Sequence, residues 1–307
     1  MTREDNMQDF NGAVAFITGG ASGAGLGQAQ VFGRAGAKVV IADMRGDAIE
    51  QALTTLRAEG ITAHGIVLDI TDREAYARAA DEVEQVFGQA PTLLFNTAGV
   101  NSFGPVEKTT YGDFDWLIGV NLGGVINGMV TFVPRMIASG KPGHIVTTSS
   151  LGGLSGSALA APYSAAKAAV INLMESYHQG LAKHNIGVSV ICPANIKSNI
   201  AEATKLRPAS AGVSGYRADE ATIESLHSIH RHGMEPVELA EWTKKGIENG
   251  DLYIIPYPEA KEQMRAHFDK IVDAILPLDA DPEGAKKRID ALMEWGAKGA
   301  KVFTTTE

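Results

Sequence analysis

A glycine-rich turn between an apolar run and a helical pattern limits this chain to few folds. Residues 13–18 are apolar or β-branched, the turn follows as Thr18-Gly-Gly-Ala-Ser-Gly-Ala-Gly25, and a helical pattern begins near residue 24. Glycines at 19, 23 and 25 allow a tight turn, a close approach of the backbone to a pyrophosphate, and packing of the helix on the strand. The helix N-terminus adds N–H groups and the positive end of a dipole. The turn predicts a dinucleotide-binding strand–turn–helix unit, and a purely structural turn is the alternative.

Short runs of apolar and β-branched residues alternate with longer amphipathic stretches along the chain. Such alternation is typical of a doubly wound α/β sheet with parallel strands. Seven strands are predicted, at residues 13–18, 38–43, 63–68, 92–95, 144–148, 187–191 and 252–255. Helices are predicted at about 24–36, 47–59, 72–87, 110–138, 160–184 and 236–248. No linker divides the chain, so we expect one Rossmann-type domain, 1–307, with a seven-stranded parallel sheet and flanking helices.

Two regions stand outside this alternation. Residues 197–233 follow the sixth strand, are polar and irregular, and lie where a doubly wound sheet places its ligand. We interpret them as a mobile substrate lid, with an ordinary helical insertion as the alternative. Residues 257–307 contain two helical patterns, and the second opens with Asp281-Pro282, an N-cap followed by proline at the first helical position. A helical C-terminal extension is therefore expected.

Charge and cysteine content exclude several classes of protein. The chain has 36 acidic and 27 basic residues, a net charge of −9 at pH 7, which argues against binding to nucleic acid or to an anionic membrane. The lone cysteine, Cys192, excludes an intramolecular disulfide and indicates a reducing compartment. The first ten residues show no targeting pattern, so a cytoplasmic location is predicted. No metal site is expected, because His227, His230 and His232 have no evident acidic or cysteine partner and are interpreted as surface histidines.

The most apolar stretch, residues 116–134, contains 19 uncharged residues, about the length of a membrane span. Its asparagines and glycines would be costly in lipid, so a helix buried in the protein or in a subunit contact is expected instead. The weakly charged helices at 110–138 and 160–184 are candidates for pairing about a two-fold axis. We therefore expect a homodimer, or a homotetramer built from such dimers.

Two acidic residues end strands beside the glycine-rich turn. Asp43 closes the second strand, where a carboxylate accepts hydrogen bonds from an adenosine ribose. A 2′-phosphate there would meet like charge, which predicts NAD as the cofactor, although Arg45 is close enough in sequence to accommodate NADP. Asp69 ends the third strand and is a candidate contact for the adenine amine, or else a carboxylate near a helix N-cap.

Tyr163 and Lys167 are four residues apart in a helical stretch, so their side chains share one face. A phenol with a pKa near 10 is a poor base at neutral pH, but an adjacent ammonium and a cationic nicotinamide favour the phenolate. Ser150 follows the strand at 144–148, where it is placed to hydrogen-bond a reacting oxygen. The three residues predict acid–base chemistry, and unrelated helix residues are the alternative.

Together these motifs have a recognisable order. Thr18-Gly-X3-Gly23-X-Gly25, Asn96-Thr-Ala-Gly99, Asn121, Ser150 and Tyr163-X3-Lys167 resemble the short-chain dehydrogenase/reductase family over residues 13 to about 200. The resemblance implies that Ser150, Tyr163 and Lys167 do the acid–base work and that Asn121 holds a proton-relay water. It also implies a nicotinamide cofactor site built from Gly19, Ser22, Gly23, Gly25, Asp43, Asp69, Ile70, Asn96, Ala98, Gly99, Tyr163, Lys167, Pro193, Ile196 and Ser198. A cofactor-sensing regulator on this fold is expected to lack the tyrosine and the lysine.

The segment Pro193-Ala-Asn-Ile196-Lys-Ser198 departs from the family's usual pattern, which has Pro-Gly and Thr where this chain has Pro-Ala and Ser. Ile196 and Ser198 are still expected to contact the nicotinamide carboxamide.

Longer stretches narrow the resemblance. Residues 63–70, 96–104, 132–139, 193–200 and 253–258 are similar to the bacterial Cα-dehydrogenases of lignin β-aryl ether breakdown. This implies NAD-dependent oxidation of the benzylic secondary alcohol of a β-O-4 linked dimer, such as guaiacylglycerol-β-guaiacyl ether, to the ketone. A dehydrogenase for another bulky secondary alcohol, a steroid or a cyclic terpenoid, is the alternative. For a small aromatic substrate the candidate wall residues are Asn101, Phe103, Leu151, Ile200 and Tyr216.

Overall fold

The computed structural model describes residues 7–304, with side chains through residue 296. Residues 1–6, part of the segment in which no targeting pattern is predicted, lie outside the described residues, as do residues 305–307. The chain separates into two compact units, Met1–Pro258 and Glu259–Glu307.

The larger unit is built on one parallel sheet of seven strands, which confirms the predicted fold class. The strands are β1 (Val14–Thr18), β2 (Lys38–Asp43), β3 (Ala63–Val67), β4 (Leu93–Asn96), β5 (Gly143–Thr148), β6 (Ile186–Ile191) and β7 (Tyr253–Ile254). Their order across the sheet is β3-β2-β1-β4-β5-β6-β7. The sheet grows in opposite directions from the β1–β4 pair, and ligands of such sheets bind at the carboxyl ends of the strands beside this reversal.

The central strands are mostly apolar, as expected for a sheet that helices cover on both faces. Along β1, Val14 and Phe16 belong to one core, whereas Ala15 and Ile17 belong to the other. This alternation follows from the two-residue period of a strand, and all five β1 residues are buried.

Ten α-helices are described: α1 (Gly23–Arg34), α2 (Gly46–Ala58), α3 (Arg73–Phe87), α4 (Tyr111–Ile118), α5 (Gly124–Ser139), α6 (Ala161–Leu181), α7 (Glu220–His230), α8 (Pro236–Asn249), α9 (Lys261–Asp273) and α10 (Pro282–Thr304). Residues of α3, α5 and α6 pack in the first core with one face of the sheet. Residues of α1, α2 and α8 pack in the second core with the other face. The larger unit therefore has three layers.

The helix predicted at 110–138 is divided. Between α4 and α5 the chain makes a π-helical turn, Gly119–Gly123, whose only fully buried member is Asn121. Wider turns of this kind insert one extra residue per turn and frequently occur at functional sites. Here the turn brings Asn121 to the loop that follows β4, as its hydrogen bonds show below.

The stretch Tyr111–Ser139 is, among the described residues, the one helix long and apolar enough to cross a membrane. Within its most apolar window, 56% of the residues are buried inside the protein. This burial agrees with the expectation from the sequence that the stretch is a helix buried in the protein.

The lid segment, which we predicted to be irregular, contains helical structure. A 3₁₀ helix spans Asn199–Leu206, and α7 follows, with Asp219 as an N-cap that accepts a hydrogen bond from the Thr222 N–H (2.9 Å). The base of the segment is closed by a parallel β-bridge between Ile196 and Met234. The predicted lid, residues 197–233, thus begins one residue after Ile196 and ends one residue before Met234, the two residues that form this bridge.

The smaller unit, Glu259–Glu307, contains α9 and α10. The Gly284 N–H donates to the Asp281 carboxylate (3.1 Å), and Pro282 is the first residue of α10, as the predicted cap requires. That this extension and the sheet form a single domain stays a prediction.

Candidate active site

A cavity of about 730 Å³ lies at the carboxyl ends of the strands. It is lined by the residues that follow β1, β2, β3, β4, β5 and β6, by the first turn of α6, and by the lid. Its size falls within the usual range for small-molecule sites. The cavity brings together these predicted residues: Gly19, Ser22, Gly23, Gly25, Asp43, Asp69, Ile70, Ala98, Gly99, Asn101, Phe103, Asn121, Ser150, Tyr163, Lys167, Pro193, Ile196, Ser198 and Ile200.

The glycines of the turn are required by close backbone contacts. A Cβ at Gly25 would lie 2.2 Å from the Gly19 carbonyl oxygen, and one at Gly19 would lie 2.9 Å from Ala98 Cα. Gly19 and Gly23 also have positive φ angles, +66° and +50°, which side chains disfavour. With the N-terminus of α1 directly behind it, this cradle fits the pyrophosphate of a dinucleotide.

Asp43, at the end of β2, is 8% exposed and lines the same cavity. Its Oδ1 accepts hydrogen bonds from the N–H (3.1 Å) and the Nε (3.3 Å) of Arg45. The Arg45 guanidinium also donates to the Ser22 hydroxyl (3.1 Å). Arg45 therefore joins the predicted ribose contact to the glycine-rich turn, and its charge is partly neutralised by Asp43.

Replacing Asp43 with alanine should weaken NAD binding by roughly 10- to 100-fold, because hydrogen bonds to a charged acceptor contribute about 1.5–3 kcal/mol. The preference over NADP should shrink, since Arg45 would lose its carboxylate partner. Titration of both nucleotides by calorimetry measures the change. Asp47→Ala, which removes an exposed carboxylate of α2 outside the cavity, is the matched control. Unchanged NAD affinity in Asp43→Ala would contradict the ribose contact.

Asp69 and Ile70 line the cavity after β3. Asp69 accepts hydrogen bonds from the N–H (2.9 Å) and the hydroxyl (2.7 Å) of Thr71. The N-cap of α3 is Asp72, three residues after Asp69, so Asp69 lies near the helix start without being its N-cap. The Ile70 carbonyl accepts from Asn127 (2.8 Å), which fixes this loop against α5.

Ser150, Tyr163 and Lys167 all line the cavity. Ser150 follows β5, and its hydroxyl accepts from the Gly152 N–H (3.0 Å). Tyr163 lies in the first turn of α6 and hydrogen-bonds with Ser150, while its ring packs 5.7 Å from that of Phe103. One turn later, the Lys167 ammonium donates to the Thr148 carbonyl (2.8 Å) and lies 5.8 Å from the Tyr163 ring centroid.

Burial controls the protonation of this group. It raises the pKa of the Tyr163 phenol, and the hydrogen bond with Ser150 opposes that rise only in part. It also lowers the pKa of Lys167 to about 8. Both groups lose water on folding, which disfavours their charged forms. Burial is thus the largest influence on the pKa of both groups, and the expected lowering of the phenol pKa by the ammonium together with a cationic nicotinamide stays a prediction.

Two hydrogen bonds hold the Asn121 side chain against the backbone of Val100. Its amide nitrogen donates to the Val100 carbonyl (2.9 Å), and its amide oxygen accepts from the Val100 N–H (3.0 Å). The side chain therefore binds the loop after β4 as a neighbouring strand would. A Cβ at Gly99 would lie 2.8 Å from the Asn121 amide oxygen and 3.5 Å from the Lys167 nitrogen. Glycine at position 99 therefore leaves room for the Asn121 amide and the Lys167 ammonium beside this loop.

Three predicted site residues lie outside the cavity lining. Asn96 is buried behind it and donates to Thr147 (3.2 Å). Leu151 packs against the first core. Tyr216 is buried, its ring covers Gly104, and its hydroxyl hydrogen-bonds with Thr109 (2.5 Å), so it fastens the lid and does not line the cavity.

The structure also adds lining residues that we did not predict. On the lid helix α7 these include Leu226, Ile229 and His230, and elsewhere Trp116 and Leu159. His230, interpreted from the sequence as a surface histidine, is half-buried, and its ring hydrogen-bonds with the Ile196 carbonyl (3.1 Å). The three-residue spacing of Leu226 and Ile229 after the Asp219 cap is a signal that identifies this helix face.

His227 pairs with Glu202 (3.4 Å) in the lid. Across the described residues, no group of three or more histidine, cysteine or acidic side chains is arranged to hold a metal ion.

Known proteins are similar to this chain in sequence and in fold. The short chain dehydrogenase family matches residues 13–208. The chain is 71% identical over 297 residues, 97% of each chain, to a protein named C alpha-dehydrogenase from Sphingobium sp. (strain NBRC 103272 / SYK-6).

Solved structures agree with the sequence match. The apo form of LigD from Sphingobium sp. strain SYK-6 is similar at 64% identity with a TM-score of 0.75, over 88% of this chain and 100% of that one. A short-chain dehydrogenase/reductase from Burkholderia phymatum, solved in complex with NAD, is similar at 32% identity with a TM-score of 0.82, over 88% of this chain and 98% of that one. The matched segment includes the glycine-rich turn, Ser150, Tyr163 and Lys167. The chain belongs to the short-chain dehydrogenase family and is an oxidoreductase.

Proposed function

We propose that this protein oxidises the benzylic secondary alcohol, at Cα, of β-O-4 linked aryl ether dimers to the ketone, with NAD as the electron acceptor. Guaiacylglycerol-β-guaiacyl ether is a representative substrate. The high identity to a protein named C alpha-dehydrogenase supports this assignment.

The observation that carries the proposal is that the cavity lining combines two sets of residues with different chemistry. One set is the glycine cradle with Asp43, which suits a dinucleotide. The other set, the apolar half of the lining, consists of aromatic and aliphatic side chains, namely Phe103, Trp116, Val120, Leu159, Ile200, Leu206, Leu226 and Ile229. Such a wall, with few polar anchors, suits a substrate with two aryl rings.

NAD, when bound, would supply a hydride acceptor and a positive charge. Tyr163 is the base that removes the proton of the Cα hydroxyl, and Ser150, its hydrogen-bond partner, orients and polarises the same oxygen. Lys167 supplies a positive charge 5.8 Å from the phenol ring, which favours the phenolate. Asn121 holds the Val100 backbone, and with it the wall beside Lys167, in place. A proton-relay water held by Asn121 is part of this proposal.

Formation of NADH in mixtures of the enzyme, NAD and racemic guaiacylglycerol-β-guaiacyl ether tests the assignment. We expect absorbance at the nicotinamide wavelength to rise together with the ketone product detected by mass spectrometry. The same dimer methylated at the Cα hydroxyl is the matched control, because it keeps both rings but has no proton for Tyr163 to remove.

Absence of turnover by an enzyme that binds NAD normally would contradict the lignin substrate but not the family. Turnover of a steroid or a cyclic terpenoid alcohol under the same conditions would then favour the alternative substrates. The fraction of the racemate consumed reports which stereoisomers are accepted.

We further propose that the enzyme is a cytoplasmic homodimer or homotetramer. Two apolar side chains of α5, Ile126 and Val130, are 39% and 65% exposed, and Phe114 of α4 is 37% exposed. Pairing of these helices about a two-fold axis would cover this apolar surface.

A further inference from the structure

Asp113, in the first turn of α4, is fully buried although it lies outside the cavity lining. Part of its role is local. Its Oδ2 accepts from the N–H (3.0 Å) and the hydroxyl (2.9 Å) of Thr110, and the Thr110 hydroxyl oxygen accepts in turn from the Asp113 N–H (3.3 Å). This reciprocal cap starts α4. Capping does not require a buried charge, because a neutral amide oxygen would accept the Thr110 N–H as well.

The remaining donors to Asp113 come from the lid. Arg207 donates to Oδ1 (2.9 Å), the Ser214 hydroxyl donates to Oδ1 (2.6 Å), and the Gly215 N–H donates to Oδ2 (3.1 Å). Burial raises the pKa of the Asp113 carboxyl, but the hydrogen bonds from Ser214, Thr110 and Gly215 outweigh it and hold the pKa below its usual range. The carboxylate therefore stays ionised, and its charge is compensated by Arg207.

Arg207 connects this carboxylate to the cavity wall. Its neighbours in sequence, Leu206 and Pro208, both line the cavity. Its guanidinium lies 5.3 Å from the ring centroid of Trp116, which lines the cavity from α4, one turn beyond Asp113. The ion pair, together with the hydrogen bonds from Ser214 and Gly215, thus joins a lid wall and a helix wall of the apolar half.

Few apolar contacts support the lid here. The core that joins it to α4 has four buried members, Val100, Trp116, Leu117 and Ala203. The backbones also meet closely on each side of Asp113. A Cβ at Gly112 would lie 2.1 Å from the Ala211 carbonyl oxygen, and one at Gly215 would lie 1.6 Å from that of Lys108. The lid backbone therefore packs directly against the start of α4 and the turn before it, beside the ion pair.

We propose that the Asp113–Arg207 ion pair holds the lid against α4 in the position that binds an aryl ring of the substrate. Asp113 is therefore a positioning residue for bulky substrates. The proposal rests on the proposed function only for the choice of substrate. Tyr163, Ser150 and Lys167 are not contacted by the pair, so it acts on substrate affinity and not on proton transfer.

Asp113→Asn and Arg207→Gln each test this in the full-length enzyme. We expect the KM for the aryl ether dimer to rise about tenfold or more, because removing one partner leaves the other charge buried and uncompensated. The kcat and the affinity for NAD should change by less than about twofold, since neither the acid–base group nor the glycine cradle is altered. Arg207→Lys should fall between wild type and Arg207→Gln, because lysine keeps the charge but loses the planar fork and the stacking on Trp116.

Hydrogen–deuterium exchange of the NAD-bound enzyme gives a readout that needs no substrate. Amides of residues 207–216 should exchange faster in both variants, with the central strands unchanged. Arg231→Gln is the matched control, because it removes an arginine of the same lid from its exposed pair with Glu224. It should leave both exchange and KM as in wild type.

Unchanged lid exchange and an unchanged KM in either folded variant would overturn the proposal, as would a fall in kcat without a rise in KM. If Asp113→Asn does not fold, Arg207→Gln, at the partly exposed end of the pair, carries both measurements. If the wild-type enzyme does not oxidise the dimer, the proposed function fails, while the exchange experiment still decides whether the pair fastens the lid.

Discussion

Replacing Tyr163 with phenylalanine is expected to lower kcat/KM for alcohol oxidation by about 10³- to 10⁴-fold, the upper range for loss of a positioned acid–base group. The change removes the one hydroxyl that both hydrogen-bonds with Ser150 and lies in the cavity. The ring itself, packed 5.7 Å from Phe103, is retained. NAD affinity and thermal stability should therefore stay close to wild type, and steady-state kinetics with calorimetric NAD titration measure the two effects separately.

Tyr177→Phe is the matched control for Tyr163→Phe. It removes a phenol hydroxyl from the same helix, α6, at a position that packs against the first core and does not line the cavity. Activity in Tyr163→Phe within tenfold of wild type would show that another group removes the proton.

The second large effect concerns Lys167 and pH. A base whose pKa is raised by burial is mostly protonated at neutral pH, so its reactive fraction grows about tenfold per pH unit. The pKa of Lys167 is about 8, so the ammonium that favours the Tyr163 phenolate loses its proton near pH 8. We therefore expect log kcat/KM for the alcohol to rise with pH with a slope near one and to bend near pH 8. The pH profile at saturating NAD measures both features.

Substitution separates the charge of Lys167 from its proton loss. Lys167→Met should lower kcat/KM by about 10²-fold, because a charged donor contributes roughly 1.5–3 kcal/mol, and it should remove the bend. Lys167→Arg keeps a charge that is not lost at any pH of the assay, so its rise should continue above pH 8. Lys183→Met, an exposed lysine just after α6, should leave the profile unchanged. A bend near pH 8 that persists in Lys167→Met would assign the titration to another group.

The sequence predicted those parts of the candidate site that depend on local spacing. Glycines 19, 23 and 25, the carboxylate at the end of β2, and the four-residue separation of Tyr163 and Lys167 each follow from the geometry of one turn, one strand end or one helix face. The parallel sheet was predictable for the same reason, since a strand buried on both faces reads as a continuous apolar run. These features need no knowledge of distant contacts, and the structure confirms the fold that they predict.

The features that the sequence predicted wrongly or did not predict depend on contacts between distant segments of the chain. Tyr216 carries an aromatic ring in the lid, but only the fold shows that Gly104 lies beneath it and that Thr109 binds its hydroxyl. Likewise, the π-helical turn at Asn121 is accompanied by side-chain hydrogen bonds to the loop after β4, 21 residues earlier. Helical periodicity contains no such information.

By itself, the sequence determined the fold class and singled out the glycine-rich turn and the Tyr163–Lys167 spacing as candidate parts of the site, because periodicity, turn chemistry and helical spacing are short-range properties of the chain. Only the tertiary structure decided which side chains wall the cavity, that the pKa of Lys167 falls to about 8, and that Asp113 meets Arg207 across 94 residues. Burial and ion pairing depend on every segment that packs around a group, and they exist only after the chain has folded.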